Sequence, residues 1–133
     1  MQHASIQPEI WTYGHRNLQS AIMSDDGQLW TVEHGPRGGD ELNRIEPGGN
    51  YGWPVVSYGR NYDGTRISAH PTQADMISPE LFWVPSIAPS GTMFYTGDRF
   101  PQWQGCLFVG SLQTGSIPKT GHVERITFND EGE

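Results

Sequence analysis

One short pattern occurs twice in this 133-residue chain, and it limits the fold more than any other feature. Residues 20–35 read "SAIMSDDGQLWTVEHG" and residues 91–112 read "GTMFYTGDRFPQWQGCLFVGSL". Each has a small residue pair in front (Ser20-Ala21, Ser90-Gly91), a short apolar arm, a glycine-bearing turn, and an arm with an aromatic after leucine (Leu29-Trp30, Leu107-Phe108). Arms at 21–23 and 29–32 around Asp26-Gly27 predict one hairpin, and arms at 92–95 and 106–112 predict a second with a longer turn. One more strand is expected over 123–128. No stretch places apolar residues at helical spacing. Repeated antiparallel units with glycine and aromatic punctuation suit a β-propeller, and a β-sandwich with similar hairpins fits the same pattern.

Composition agrees with a turn-rich all-β chain. There are 17 Gly and 10 Pro, residues that break regular elements. Aromatic residues make up 11% and the hydrophobic set 35%, enough with the glycines for a packed core. The formal net charge is −7, so the basic face needed for nucleic-acid binding is missing. No apolar run reaches membrane-spanning length. The first residues, "MQHASIQPEIWTYG", lack the basic and apolar parts of a signal peptide. The lone Cys106 cannot form an internal disulfide, and in "GCLFVG" it reads as a small core hydrophobe. Residues 43–89 show little regular pattern, so a long irregular insertion is expected there. Connections of that length usually carry function.

Three segments could carry chemistry. In "YGHRN" (13–17), Arg16 offers a planar fork of donors to a carboxylate or an electron-rich oxygen, and Asn17 adds a donor and an acceptor. His15 suits a base, a ligand or a packing group, and taken alone the pentapeptide reads first as a surface loop with a local Arg–Asp pair. "EHGPRGGDELN" (33–43) lacks the Gly-Lys-Ser/Thr of a P-loop and the spacing of an EF-hand. It does supply hard oxygens from Glu33, Asp40 and Glu41, with carbonyls turned outward by glycine and proline. Calcium takes such ligands, and a solvated acidic turn is the alternative. "NYGWPVVSYGRNYDG" sets Trp53, Tyr58 and Tyr62 beside Gly and Pro, which suits a platform for a sugar or a flat cofactor, or simple core filling.

Together, "YGHRN-x-Q", "EHGPRGGDELN", "GGNYGWPVVSYGRNY" and "FPQWQGCLFVGSL" resemble the glucose/sorbosone dehydrogenase family, most nearly its soluble aldose sugar dehydrogenases, from about residue 11 to residue 112. That resemblance implies a partial β-propeller: about two to three blades of a six-bladed family fold, from a central segment, as one domain over residues 1–133. It also implies two cofactors, pyrroloquinoline quinone (PQQ) and calcium. Carried over motif by motif, it puts Arg16, Asn17 and Tyr62 at PQQ, and Gly35 and Pro36 on the calcium that sits against it. Glu41 and Tyr51 fall at a further calcium. The implied activity is oxidation of aldose sugars at the anomeric C–H to lactones, with an external electron acceptor, a possible homodimer and a periplasmic or secreted location.

The sequence also departs from the family. The family's catalytic histidine lies well upstream of "GHRN", whereas only about a dozen residues precede that motif here. His3 sits in no matching context, and no catalytic residue is assigned. A basic PQQ contact expected just after "GSL" reads Gln113, and the glycine usual after "Arg-Asn-x-Gln" is Ser20. The chain alone is therefore expected to be inactive. A calcium-stabilised β domain without catalysis and a carbohydrate-binding module remain the alternatives.

Overall fold

The structure, a computed structural model, describes residue 7 and residues 9–129; His3 lies outside them. Among the described residues, seven strands form two antiparallel meanders. The first sheet contains β1 (Leu18–Met23), β2 (Leu29–Glu33), β3 (Asp40–Arg44) and β4 (Leu81–Trp83), in that order. The second contains β5 (Pro89–Phe94), β6 (Leu107–Ser111) and β7 (His122–Ile126). A 3-10 turn, Pro101–Trp103, lies in the β5–β6 connection. Among the described residues no helix is long and apolar enough to cross a membrane.

Both expected hairpins form, each opening one sheet, and the repeat extends to their irregularities. The β1–β2 register slips between Leu18 and Ser20, and the β5–β6 register slips between Pro89 and Thr92. Such bulges increase local twist. The two opening strands lie side by side, joined by a hydrogen bond between the Ser20 and Thr92 hydroxyls (2.6 Å). The outer strands are joined as well, because Trp83 Nε1 donates to Glu124 Oε2 at 3.0 Å. Between the sheets lies one core of Trp30, Val32, Leu42, Trp83, Ile87, Leu107 and Val109. Cys106 is buried, as a small core residue should be. The two sheets stack as successive blades of a propeller, and the chain is a partial propeller.

Two strands fall where the sequence reads as loop or insertion. β3 takes the end of the glycine-rich stretch, and β4 lies inside residues 43–89. β3, "DELNR", has one aliphatic residue, Leu42, which enters the core; Asp40 and Asn43 are buried through hydrogen bonds instead. That removes the alternation of apolar and polar residues by which a half-buried strand is recognised. The rest of 45–80 is irregular and holds only isolated bridges.

Candidate cofactor site

Glu33, the last residue of β2, organises the "GHRN" turn. It is 3% exposed. Its Oε2 accepts the backbone N–H groups of Arg16 (2.6 Å) and Asn17 (3.2 Å). Its Oε1 accepts from Asn43 Nδ2 (3.1 Å) and faces His15 Nδ1 at 2.9 Å. With Nδ1 turned to the carboxylate, the other ring nitrogen, Nε2, meets the Thr12 hydroxyl at 3.0 Å. The His15 ring stacks on Tyr51 with centroids 4.5 Å apart. His15 is thus a packing and orienting group.

Arg16 projects from this turn over the Trp53 ring, its Cζ 5.3 Å from the centroid. One guanidinium nitrogen donates to the carbonyls of His34 (3.0 Å) and Gly35 (3.1 Å). The other donates to the Tyr62 hydroxyl at 3.3 Å. The fold therefore brings Arg16, Gly35 and Tyr62 together across 46 residues of sequence. Asn17 is exposed beside them, its Oδ1 taken by Gln19 Nε2 at 3.0 Å. Tyr62 is 73% exposed, at the open side of the group. No local Arg–Asp pair forms among the described residues. Of the aromatic platform, Trp53 lies under Arg16, while Tyr58 stacks instead on Phe82 at 3.8 Å.

The loop after β2 is held by a second buried carboxylate. Asp40, fully buried, accepts the Gly35 N–H through Oδ1 at 2.9 Å. Its Oδ2 accepts from Ser86 Oγ (2.6 Å), Ile87 N (2.8 Å) and Ala88 N (2.9 Å). His34 adds a ring contact to the Pro89 carbonyl at 2.7 Å. The glycines permit this compactness. A Cβ on Gly35 would strike the Gly38 and Gly39 carbonyls, and Gly39 itself has φ +71° with the Gly59 backbone against it. Pro36, half-buried, follows directly.

Glu41 is the carboxylate of this stretch that hydrogen bonding leaves nearly free. Its Oε2 receives one long contact, 3.4 Å from Asn43 Nδ2. It stands directly opposite Glu33 in the β2–β3 register. Burial first, then the charges of Glu33 and Asp40, push its pKa up to about 7. The Tyr51 phenol donates to the Arg44 carbonyl (2.6 Å) and accepts the Glu46 N–H (2.8 Å). The main-chain carbonyl is therefore the group Tyr51 could offer to a cation. Glu41 and Tyr51 together line two cavities of about 10 Å³ each, about the size of one water or ion. On the same face, Asn43 Oδ1 and Thr31 Oγ1 are buried with no hydrogen-bond partner among the described residues. An all-oxygen set with an under-coordinated carboxylate suits calcium, so the residues fit the cation the sequence implies. No group of three or more His, Cys, Asp or Glu side chains arranged for a metal occurs among the described residues.

Sequence reasoning treated Glu33 and Asp40 only as possible metal ligands; both instead accept four donors from the protein. The period-2 alternation from Thr31 to Glu33 puts that carboxylate on the face of "GHRN", a signal that was available. The grip of Asp40 on residues 86–88 spans up to 48 residues and has no local signal.

This chain belongs to the glucose/sorbosone dehydrogenase family, whose model matches residues 1–132. Within that family it is 44% identical over 120 residues to the aldose sugar dehydrogenase YliI of Escherichia coli, covering 88% of this chain and 32% of that protein. It is 51% identical over 107 residues to the uncharacterised Synechocystis protein slr1608 (79% and 26% covered). It is 32% identical over 112 residues to the quinoprotein glucose dehydrogenase B of Acinetobacter calcoaceticus (82% and 22%). Among solved structures, a glucose dehydrogenase superposes with a TM-score of 0.78 at 41% identity, covering 98% of this chain and 40% of that one. The apo form of the soluble E. coli aldose sugar dehydrogenase gives 0.78 at 39% (94% and 38%). The chain spans between 22% and 32% of the length of these curated relatives.

Proposed function

We propose that this chain carries part of the cofactor seat of a PQQ- and calcium-dependent aldose dehydrogenase, oxidising sugars at the anomeric C–H to lactones and passing electrons to an external acceptor. The observation that carries this reading is the convergence of the Gly35 carbonyl and the Tyr62 hydroxyl on the Arg16 guanidinium, which lies over Trp53. A cation-bearing aromatic shelf, with the His34 and Gly35 carbonyls against the guanidinium, suits a flat tricarboxylate and its metal. The name of the Acinetobacter relative, a quinoprotein, supports the choice of cofactor.

When bound, PQQ with calcium supplies the hydride acceptor. The chain's own residues bind and orient. Arg16, Asn17 and Tyr62 would hold the cofactor's oxygens, and Gly35 with Pro36 would present carbonyls to the cation against it. Glu41 and the Tyr51 carbonyl would serve a further calcium. No described residue is assigned as the base for the sugar hydroxyl, and the chain by itself is proposed to be inactive. A periplasmic or secreted location and a homodimer belong to the same proposal.

The test measures PQQ binding by absorbance and calcium binding by calorimetry, for the wild type and for Arg16→Ala. The substitution is expected to weaken PQQ binding at least tenfold and leave calcium binding nearly intact. Equal loss of both would make Arg16 a folding residue, and an absent PQQ absorbance change in the wild type would favour a calcium-stabilised domain without catalysis. Glucose-dependent dye reduction by the chain alone would overturn its proposed inactivity.

A further inference from the structure

The chain has eight basic residues against fifteen acidic ones, yet three arginines sit side by side. Isolated antiparallel bridges pair Arg37 with Arg60 and Arg60 with Arg66. Bridged residues project to one side of the ribbon, so Arg60 and Arg66 share a face. Like charges placed directly opposite are destabilising. No carboxylate lies within 4.0 Å of either side chain among the described residues, where the ion pairs found are His15–Glu33 and His122–Glu124. Asp63, close in sequence, instead turns its Oδ1 into its own turn, accepting from Thr65 N (2.9 Å) and Thr65 Oγ1 (2.6 Å).

The pair is held in place by an ordered tip. Arg60 donates its backbone N–H to the Arg37 carbonyl (3.3 Å) and Nη1 to the Gly64 carbonyl (3.2 Å). Asn61 N donates to Thr65 O (2.9 Å), and Gly64 N to Asn61 O (2.9 Å), closing the tip. Both arginines line a cavity of about 260 Å³ shared with Ser57, Tyr58 and Ser68. The Ser57 hydroxyl accepts from Gly59 N (3.0 Å), which leaves its proton to donate. The Ser68 hydroxyl donates to the His70 carbonyl (2.5 Å), which leaves its lone pairs to accept.

We infer that Arg60 and Arg66 form an oxyanion site that takes the phosphate or carboxylate group of a small hydroxylated molecule, the two serines meeting its hydroxyl groups. An oxyanion between two guanidinium groups converts their repulsion into charge-assisted hydrogen bonds. The concave, hydroxyl-bearing wall fits a small molecule better than the surface of an acidic protein. The cavity adjoins the two small ones lined by Glu41 and Tyr51, sharing Ser57 with one and Tyr58 and Pro71 with the other, but neither Arg60 nor Arg66 lines those.

The test uses the chain without PQQ or calcium, at low ionic strength. Calorimetric titrations with inorganic phosphate, glucose 6-phosphate, glucuronate and glucose compare the wild type, the double variant R60Q/R66Q, and R99Q as a charge-matched control on an exposed loop elsewhere. At least one anionic sugar should bind tenfold or more tighter than glucose and tighter than phosphate alone; whichever of the two wins identifies the phosphate or the carboxylate as the group held. R60Q/R66Q should lose at least tenfold of that affinity, with R99Q unchanged and the thermal midpoint of the double variant not lowered. Anionic sugars binding no tighter than glucose, or an unaltered affinity in R60Q/R66Q, would overturn the site. Binding of an oligoglutamate peptide in their place would reassign the patch to a protein partner.

Discussion

Glu33 and Asp40 are buried carboxylates that each accept hydrogen bonds from four donors, most of them backbone N–H groups. Replacing either by its amide turns an acceptor into a donor facing backbone N–H groups. Glu33→Gln and Asp40→Asn should each lower folding stability by about 2–4 kcal/mol, read from urea unfolding. A loss within 0.5 kcal/mol would mean that these bonds contribute nothing net. Glu41 behaves in the opposite way. Its carboxyl is raised from an ordinary value of 4.5 to about 7, so the folded protein holds this proton more tightly than the unfolded chain does. Stability from this group is therefore full below pH 4.5 and declines as pH rises through 7, by about 3 kcal/mol in calcium-free buffer. Glu41→Gln should flatten that decline. An unchanged pH profile in this variant would assign the slope to another group. Composition offers Glu33, Asp40 and Glu41 alike as hard oxygens, and only the family resemblance singles out Glu41; in the fold, what separates it is how few donors reach it.

At the scale of elements, the hairpins 18–33 and 89–111 and the last strand could be read directly, because their apolar residues alternate around glycine-bearing turns. β3 and β4 could not. One hides its strand character under polar residues, and the other is three residues long within an irregular segment. Both are nevertheless integral to the first sheet. Leu42→Ala in β3 should cost about 2–5 kcal/mol, since the side chain is fully buried in the core. Phe82→Ala in β4, 43% exposed and stacked on Tyr58, should cost about 1 kcal/mol. Equal costs would show that Phe82, like its neighbour Trp83, is packed as tightly as the core.

Over the whole molecule, the core draws its residues from both sheets, and the seam is crossed by Ser20–Thr92, Trp83–Glu124 and the bonds of Asp40. The chain should therefore unfold in a single transition, with far-UV circular dichroism and tryptophan fluorescence following the same urea curve. Separated curves would show that the sheets are independent. Pattern alone left propeller and sandwich open, since both are built from such hairpins; the joint order of four short motifs favoured the propeller. The residues converging on Arg16 could be named one by one from the same motifs, but their contacts could not, because Tyr62 reaches Arg16 only through an irregular loop.

The repeat extends to how each sheet begins. The two residues before β1 give their N–H groups to Glu33, and Ile87 and Ala88 before β5 give theirs to Asp40. Asp40 belongs to the first sheet yet grips the start of the second, and the same side chain holds Gly35. The five steps from Gly35 to Asp40 are thus a spacer of fixed length, in contrast to the exposed tips at 61–63 and 97–100. Transplanting the glycine-rich loop onto another meander would carry over its composition and lose its geometry. The portable unit is residues 33–40 together with residues 86–88, two pieces of chain that have to travel as one.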